Sequence, residues 1–383
     1  MTPSFTLTRA AALDRLASVI PHLGRTYTSG RNTDVGPTRE PTTTVLSPFL
    51  RRRLLLEDEV VSAALEQHGP EEAGKFIEEV FWRSYFKGHL ETRPAIWTSY
   101  KASVDQGHDQ LAAQAGLRKA YERAVTGHTG IDGFDEWAVD LTRTGWLHNH
   151  TRMWFASIWI FTLQLPWALG ADFFLRHLID GDPASNTLSW RWVAGLHTRG
   201  KVYAARADNI RRYTDGRFSP RGLNESPTAI DEDETFGLAS LPKADPVPEG
   251  DAALLLHLDD LHPESLPLNQ TRVARIGYLL AHPPSAVAQV RHADEQAMAD
   301  ALERARAHFG CDAGPAVEGW AGELPIITAW APVGPSASAL PADCTRVRRL
   351  WDDLTWPRAT RGYFQVKAAI PAILQDALDN RET

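Results

Sequence analysis

The chain has 383 residues, 43% of them hydrophobic, which is enough for one to three domains with real cores. Its formal net charge of −8 divides unevenly, because residues 1–230 carry +2 and residues 231–383 carry −10. We therefore expect any phosphate-binding surface in the first part and predict that the acidic second part does not contact nucleic acid.

Neither the N-terminal sequence nor the cysteines indicate a targeting signal or a cysteine-based site. Residues 1–10 lack the pattern of a secretory signal peptide, and the two cysteines exclude a four-thiolate iron–sulfur cluster and imply no disulfide framework. Residues 153–171 carry no charge and approach the length of a membrane span, but Gln164 and Pro166 interrupt them. We interpret this segment as a buried core helix and predict a cytoplasmic protein without a membrane span.

Residues 1–225 are predicted to be mainly helical, because their apolar residues recur at intervals of three and four. The Thr/Pro-rich residues 38–44 are predicted to form a loop. We expect helices to begin near Pro3, Ser47, Pro70, Gly107, Phe134, Arg152, Asp172 and Asn186.

The composition changes after residue 225. Residues 226–251 are acidic and rich in proline, as in a surface linker. Short apolar runs at 252–257, 273–281 and 324–330, with an amphipathic helix at 294–309, then favour a small parallel α/β unit. The predicted organisation is a helical domain (1–228), a linker (229–250) and a small α/β domain (251–383).

Residues 43–48 place hydroxyl side chains just before a helix that has a proline in its first turn. Such residues cap a helix N-terminus, and a helix N-terminus also binds phosphate through its free N–H groups. Both interpretations, a capped helix alone and a phosphate site, are compatible with Thr43, Thr44 and Ser47.

Three further motifs place chemically useful side chains at close spacing. Glu79 and Trp82 are three residues apart and share a helix face, with Arg83 following. Downstream lie Asn149, Arg152 and Met153, and then Asp180, Asp182 and Asn186. Taken singly, each has an ordinary explanation as a solvated charge, a turn or a helix cap.

Histidine and tryptophan need separate treatment. His148 and His150 are two residues apart on a predicted helix and point to different sides, so we predict no metal site. Nine of the thirteen tryptophans lie between Trp82 and Trp192, and most are expected in the core.

Together these motifs resemble the FAD-binding core of the photolyase/cryptochrome family, over roughly residues 20–225. The resemblance implies a mainly α protein: a photolyase-like, all-helical FAD-binding domain followed by the small α/β domain. It also implies that the α/β antenna domain with which a full photolyase begins is missing here. The C-terminal unit is then either a reduced antenna-like unit or an unrelated cap, and an antenna chromophore is unknown.

The resemblance implies that FAD is the cofactor. Arg152 is expected to pair with Asp180 near the flavin ring, and Asn186 to face flavin N5, where a neutral amide can donate or accept. The implied FAD-binding residues are Tyr27, Thr43, Thr44, Val45, Leu46, Ser47, Asn149, Arg152, Asp180, Asp182 and Asn186.

The resemblance also implies a substrate, DNA containing pyrimidine dimers in single or double strands. Glu79 is expected to bond a flipped-out dimer, and Trp82 and Trp192 to stack on it, with Met153 and Arg83 beside them. Family members that repair (6-4) photoproducts place two histidines where this chain has Asn149 and Met153, so the cyclobutane dimer is favoured.

An electron path from the surface to the flavin is implied as well, with Trp190 as its proximal member and Trp167 as its middle member. Three aromatic residues remain open as the distal member: Trp97, Tyr100 and Trp159. The implied catalytic residues are therefore Glu79, Trp82, Asn186, Trp190 and Trp167.

Two stretches depart from the family pattern. Arg191 stands where glutamine is common, and residues 187–189 replace a glycine-rich run. The sequence that usually follows this tryptophan in the family is absent after Trp192. Residues 199–221 form a basic stretch, which is either a solvated surface or a rim that binds the phosphates of a nucleic acid strand. Its basic residues are Arg199, Lys201, Arg206, Arg211, Arg212, Arg217 and Arg221.

The expected function is blue-light-driven repair of cyclobutane pyrimidine dimers by electron transfer from reduced FAD. Two alternatives stay open: a cryptochrome-like photoreceptor that uses the same cofactor without repair, and a flavoprotein that does not use light. The departures around Arg191 and Tyr203 keep the last alternative open.

Overall fold

A computed structural model describes residues 5–232, 234–283 and 285–379, which form a mainly helical molecule with a parallel sheet in its C-terminal region. Eleven α-helices precede the sheet in the described part of the chain. They are α1 (Arg9–Val19), α2 (Arg25–Gly30), α3 (Ser47–Arg51), α4 (Glu57–Glu91), α5 (Ala95–Ala113), α6 (Ala115–Val125), α7 (Phe134–Thr144), α8 (Asn149–Ser157), α9 (Trp167–His177), α10 (Pro183–Val193) and α11 (Ala207–Tyr213).

The predicted helix starts have mixed outcomes. Those at Ser47 and Phe134 are confirmed, and Pro70 follows a kink in α4 at Gly69, whose φ of 69° a glycine adopts without strain. The starts at Gly107 and Asp172 are wrong, because these residues lie inside α5 and α9. Arg152 and Asn186 lie three residues inside α8 and α10, and Pro3 lies outside the described residues.

The uncharged segment 153–171 is buried, as predicted, but it is not one helix. It contains the end of α8, a π-helical turn at Ile158–Thr162 and the start of α9. The break falls at residues 163–166, where Gln164 has a φ of 53° and Pro166 cannot continue a helix. Among the described residues, no helix is long and apolar enough to cross a membrane.

The sheet contains five parallel strands in the order β3-β2-β1-β4-β5. The strands are β1 (Gly250–Leu256), β2 (Thr271–Tyr278), β3 (Ala313–Pro315), β4 (Ile326–Ala329) and β5 (Thr345–Val347), and the helices are α12 (Ala288–Phe309), α13 (Pro335–Ala339), α14 (Leu350–Thr355) and α15 (Tyr363–Asp379). The three predicted strands and the predicted helix are confirmed. The sequence reading missed β3 and β5, which are three residues long and lack an apolar run.

The strand order reverses between β1 and β4, and in doubly wound sheets ligands bind at the carboxyl ends of such a strand pair. Here that edge faces the helical part. Asp259 and Asp260, which follow β1, pair with arginines of the α3–α4 turn. Trp330, which follows β4, donates its indole N–H to Glu91 at the end of α4 (3.2 Å). This edge of the sheet is therefore an interface within the chain.

Three consecutive arginines form ion pairs across this interface. Arg51, Arg52 and Arg53 are 6%, 2% and 1% exposed, and each contacts a carboxylate of the C-terminal region. Those partners are Asp259, Asp294 and Asp352, at 2.6, 2.8 and 2.7 Å, respectively. Close backbone approach completes the contact, because a Cβ on Gly88 of α4 would lie 2.8 Å from Trp356 Cα.

Candidate functional site

Asp180 lies in the turn between α9 and α10 and joins three elements. Its carboxylate accepts from Arg152 of α8 (2.9 Å) and from the Ser47 hydroxyl at the start of α3 (2.5 Å). Burial acts to raise the pKa of this 4% exposed carboxyl, but Arg152 and Ser47 outweigh it, and the net shift is downward. The predicted Arg152–Asp180 pair is confirmed.

Asp182, two residues on, is the N-cap of α10. Its carboxylate accepts from the Ser185 backbone N–H (2.7 Å), and the Lys87 ammonium lies 4.0 Å away. Burial alone would raise its pKa, but Lys87 and Arg83 prevail and lower it to about 2. Asp182 is therefore ionised and held in place by α4 and α10.

Several buried polar atoms next to these carboxylates have no hydrogen-bond partner. They include Thr43 Oγ1, Arg83 Nη1 and Lys87 Nζ, and the Lys87 side chain is only 1% exposed. Buried donors without a partner are rare in folded proteins, since each costs about 1–3 kcal/mol. A ligand rich in acceptor oxygens, such as a nucleotide cofactor with phosphates and ring carbonyls, fits these donors.

Asn186 and Trp190 lie four residues apart on one face of α10, against α9. Asn186 donates its side-chain amide to the Ala171 carbonyl (2.8 Å), which orients the amide and leaves Oδ1 as an acceptor. The Trp190 ring lies over Gly170, where a Cβ would come within 2.4 Å of it. Asn186 and Trp190 therefore both contact α9, at the neighbouring residues Ala171 and Gly170.

Glu79 lies on α4 and pairs with Arg31, just after α2, at 2.7 Å. Tyr27 of α2 packs edge-on against Phe76, one turn earlier on α4 (5.5 Å between ring centroids). Burial raises the pKa of Glu79 despite the opposing charge of Arg31. A carboxyl with a raised pKa can donate as well as accept a hydrogen bond near its pKa, which suits contact with a pyrimidine edge.

Both tryptophans predicted to stack on a lesion contact a tyrosine ring. Trp82 is stacked on Tyr363, the first residue of α15, with ring centroids 3.6 Å apart and an interplanar angle of 12°. Trp192 lies beside Tyr203, with centroids 5.5 Å apart and an angle of 31°. Side chains of this chain therefore occupy one face of Trp82 and border Trp192.

Histidines connect these parts of the site. His150 contacts the Asn32 carbonyl through Nδ1 (3.1 Å) and the Tyr203 hydroxyl through Nε2 (3.2 Å), which links α2 to Tyr203. His197 contacts the Tyr85 hydroxyl (2.9 Å), which links the segment after α10 to α4. Burial lowers the pKa of His150 and of His197 to about 4, so both rings are neutral at pH 7.

The predicted electron-path residues fall into two aromatic groups. Trp190 contacts Trp159 edge-on at 6.3 Å. Trp167 lies 5.9 Å from Tyr100, which lies 5.2 Å from Trp97. Trp167 also lines a cavity of about 380 Å³ together with residues of α5 and with Glu232 and Glu234. The three distal candidates thus remain, with Tyr100 and Trp97 next to Trp167 and Trp159 next to Trp190.

The remaining predicted residues lie around the same helices. Thr44 Oγ1 accepts from the Leu46 N–H (3.3 Å), and Val45 has a φ of 55°, an unusual value for a β-branched residue. Asn149 is exposed in the first turn of α8, and Met153 is half-buried one turn later. A small cavity of about 50 Å³, lined by Thr42 and His148 among others, lies at this end of α8.

Sequence reasoning missed Lys87, His197, Tyr203 and Tyr363. Lys87 carried a usable signal, because it follows Glu79 on the same helix in an otherwise apolar turn. Tyr363 carried none, since it lies 281 positions after Trp82 and outside the motif region.

Part of this chain is similar in sequence to known proteins. Residues 76–219 match the family model for the FAD binding domain of DNA photolyase. The deoxyribodipyrimidine photo-lyase of Streptomyces griseus is 34% identical over 183 residues, which are 44% of this chain and 38% of that protein. The enzyme of that name from Agrobacterium fabrum is 30% identical over 191 residues, 48% of this chain and 37% of that protein. The chain thus spans less than two fifths of the length of these relatives.

Two solved structures are also similar in part. A class III photolyase from Agrobacterium tumefaciens is 27% identical with a TM-score of 0.44, covering 54% of this chain and 44% of that one. A cryptochrome from Synechocystis is 23% identical with a TM-score of 0.45, covering 56% and 44%. Residues 76–219 of this chain are therefore similar to the FAD binding domain of DNA photolyase.

Proposed function

We propose that this protein binds FAD between α3, α4, α8 and α10 and uses it, under blue light, to split cyclobutane pyrimidine dimers in DNA. The observation that carries the proposal is a set of buried donors without a hydrogen-bond partner, Thr43 Oγ1, Arg83 Nη1 and Lys87 Nζ, in the elements that also hold the paired carboxylates Asp180 and Asp182. These groups fit the phosphates and polar ring edge of FAD.

Different residues of the site would bind different parts of FAD. Thr43, four residues before α3, would contact the phosphates through its hydroxyl, because the N–H groups of Phe49 and Leu50 already donate to the Leu46 carbonyl. Asp180 and Asp182 would face the polar edge of the ring, and the Asn186 Oδ1 atom would accept from a protonated ring nitrogen. Arg152 neutralises Asp180, so the site does not repel an anionic cofactor.

Reduced FAD, when bound and excited by light, supplies one electron to the dimer. Splitting breaks the two carbon–carbon bonds between the pyrimidines and returns the electron, so the reaction consumes no oxidant or reductant. The proposed substrate contacts are Glu79, through its carboxyl, and the rings of Trp82 and Trp192. Flipping the dimer out of the duplex costs less than flipping an undamaged base, which favours the lesion.

The test uses purified protein with photoreduced flavin, mixed without oxygen with an oligonucleotide that contains a thymine dimer. We expect the ultraviolet absorbance of the bases to return under blue light and not in the dark. Glu79→Ala should slow the return at least tenfold, and Glu71→Ala, an exposed carboxylate on the same helix, should not. No return in light, with flavin bound and reduced, would refute repair.

One observation favours the photoreceptor as a second candidate. The Trp82–Tyr363 stack connects the proposed site directly to the C-terminal helix α15, which offers a route for a signal. This candidate predicts light-dependent hydrogen exchange in α15 without DNA, together with an absence of dimer repair.

A further inference from the structure

Tyr363 covers one face of Trp82. Their rings lie nearly parallel and in contact, at 3.6 Å and 12°, and Tyr363 is 5% exposed. Two aromatic rings in this arrangement leave no space between them for a third. A nucleobase could stack on this face of Trp82 only after the tyrosine ring has left.

Tyr363 makes few polar contacts, although its ring is buried in the hydrophobic core together with Val366 and Ile373 of the same helix. Its hydroxyl donates to the Glu78 backbone carbonyl (2.8 Å), and the Tyr85 ring lies edge-on at 5.7 Å. One turn later on α15, Lys367 pairs with the Glu78 carboxylate (2.8 Å), but its side chain is 42% exposed and the pair is weak in water. Displacement of the ring would give up the stack, one hydrogen bond and the burial of the ring, and a stacked base would restore the stack on Trp82.

We propose that Tyr363 holds the place of a nucleobase on Trp82 in the DNA-free protein, and that a flipped-out pyrimidine reaches Trp82 by displacing it. This inference rests on the proposed function and adds a residue of the C-terminal region to the substrate site. A phenol ring resembles a pyrimidine in size, planarity and the ability to bond at its edge, so it protects Trp82 from water until a base arrives.

The surroundings suit a nucleic acid strand, although residues 231–383 are acidic as a whole. Arg361, two residues before α15, is exposed, and so is Lys367, which is paired with Glu78. Phe364, adjacent to Tyr363, is 80% exposed. Phosphates next to a flipped base would therefore meet positive charge here.

The test measures, in the dark, the affinity of the flavin-loaded protein for a fluorescent single-stranded oligonucleotide with one thymine dimer. Tyr363→Ala should bind about tenfold more tightly than wild type, because no ring has to leave. Tyr363→Phe keeps the stack and should stay within about twofold of wild type. Phe364→Ala, the matched control, should also stay within about twofold. The gain should vanish in the Tyr363→Ala/Trp82→Ala double variant.

Unchanged or weaker binding by Tyr363→Ala, or an equal gain in Phe364→Ala, would overturn the inference. Because Tyr363 is buried, melting temperatures of all variants are compared first. If Tyr363→Ala does not fold, hydrogen exchange of wild type decides: residues 363–367 should exchange faster with the oligonucleotide bound, and equal or slower exchange contradicts displacement. Light-driven repair is scored separately. Tighter binding without repair refutes the proposed function alone, and repair without tighter binding refutes this inference alone.

Discussion

Two regions of the molecule bury charge in different ways. At the interface with the C-terminal sheet, Arg51, Arg52 and Arg53 each contact a buried carboxylate of the same chain. At the proposed FAD site, Arg83 and Lys87 carry buried nitrogens that have no hydrogen-bond partner. The arginines of the interface thus have both an opposite charge and hydrogen bonds to it, whereas Lys87 has the opposite charge of Asp182 at 4.0 Å but no hydrogen bond.

The two regions are physically connected. Arg51 donates from Nε to the Gly181 carbonyl (2.8 Å), and Arg52 donates from Nη1 to the Ile179 carbonyl (2.6 Å). These carbonyls flank Asp180, so the arginines that bind the C-terminal region also hold the turn of the proposed site. The C-terminal region therefore acts as a support for that turn as well as a cover for α4.

The largest effect is expected from breaking the interface at Arg53. Arg53→Ala leaves Glu57 and Asp352 buried without their cation, and removing one partner of a buried pair costs about 3–5 kcal/mol. Urea denaturation measures the loss. Arg272→Ala removes an exposed pair with Asp251 and should cost about 0–1 kcal/mol. Equal losses in the two variants would remove the distinction between structural and surface charge.

Glu91 gives the interface a pH dependence. Burial raises the pKa of this carboxyl from 4.5 to about 7, against hydrogen bonds from the Val333 N–H and the Trp330 indole. The folded protein then binds more protons than the unfolded chain between these values. The contribution of Glu91 to stability is present in full below pH 4.5 and is lost as the pH rises through about 7.

The change in unfolding free energy amounts to at most about 3.5 kcal/mol, at about 1.4 kcal/mol per pK unit. It is measured as the difference in unfolding free energy between wild type and Glu91→Gln at pH 5 and at pH 7.5. Wild type should lose stability relative to Glu91→Gln as the pH rises. Glu318→Gln, an exposed control, should follow wild type at both values. Parallel profiles for wild type and Glu91→Gln would show that Glu91 ionises normally.

Lys87 tests the other side of the comparison. If the Lys87 ammonium donates a hydrogen bond to a cofactor oxygen, Lys87→Met should weaken FAD binding tenfold or more. A hydrogen bond to a charged group is worth about 1.5–3 kcal/mol. Flavin fluorescence on titration measures the affinity. Lys75→Met makes the same change on the same helix at a half-exposed site and should leave the affinity unchanged. Equal affinities in both variants would assign Lys87 to the fold alone.

A smaller, kinetic effect separates the aromatic residues near the site from those in the general core. Trp190→Phe should slow light-driven reduction of the flavin about tenfold, because a phenylalanine ring is oxidised far less readily than an indole. Trp137→Phe alters a fully buried ring that stacks on Trp154 and should have little effect. Transient absorption at matched flavin occupancy compares them, and equal rates would exclude Trp190 from the path.

The sequence predicted best the contacts within its motifs and the strands that contain an apolar run. The pairing of Arg152 with Asp180 was predicted from motifs 28 positions apart and is confirmed. The strands β1, β2 and β4 were visible as apolar runs, whereas β3 and β5 have only three residues each. The sequence shows an interruption at Gln164 and Pro166. That this interruption separates two helices depends on backbone geometry, which composition does not determine.

The sequence could not predict contacts between distant segments. Arginines 51–53 stand inside an apolar run, which signals that they are buried, but Asp259 lies 208 positions away from Arg51 and no periodicity identifies it. The same holds for Tyr363 and Trp82. The expectation that the acidic second part stays away from nucleic acid rested on net charge, which does not register single aromatic residues placed by the fold.

The most direct test of the account is a titration of flavin-free protein with FAD, followed by flavin fluorescence. The account predicts saturation at one FAD per chain, with affinity lowered at least tenfold by Asp180→Ala and unchanged by Asp251→Ala at the exposed start of β1. Binding that does not saturate, or equal affinities in the two variants, would contradict the claim that these buried donors and carboxylates form a flavin site.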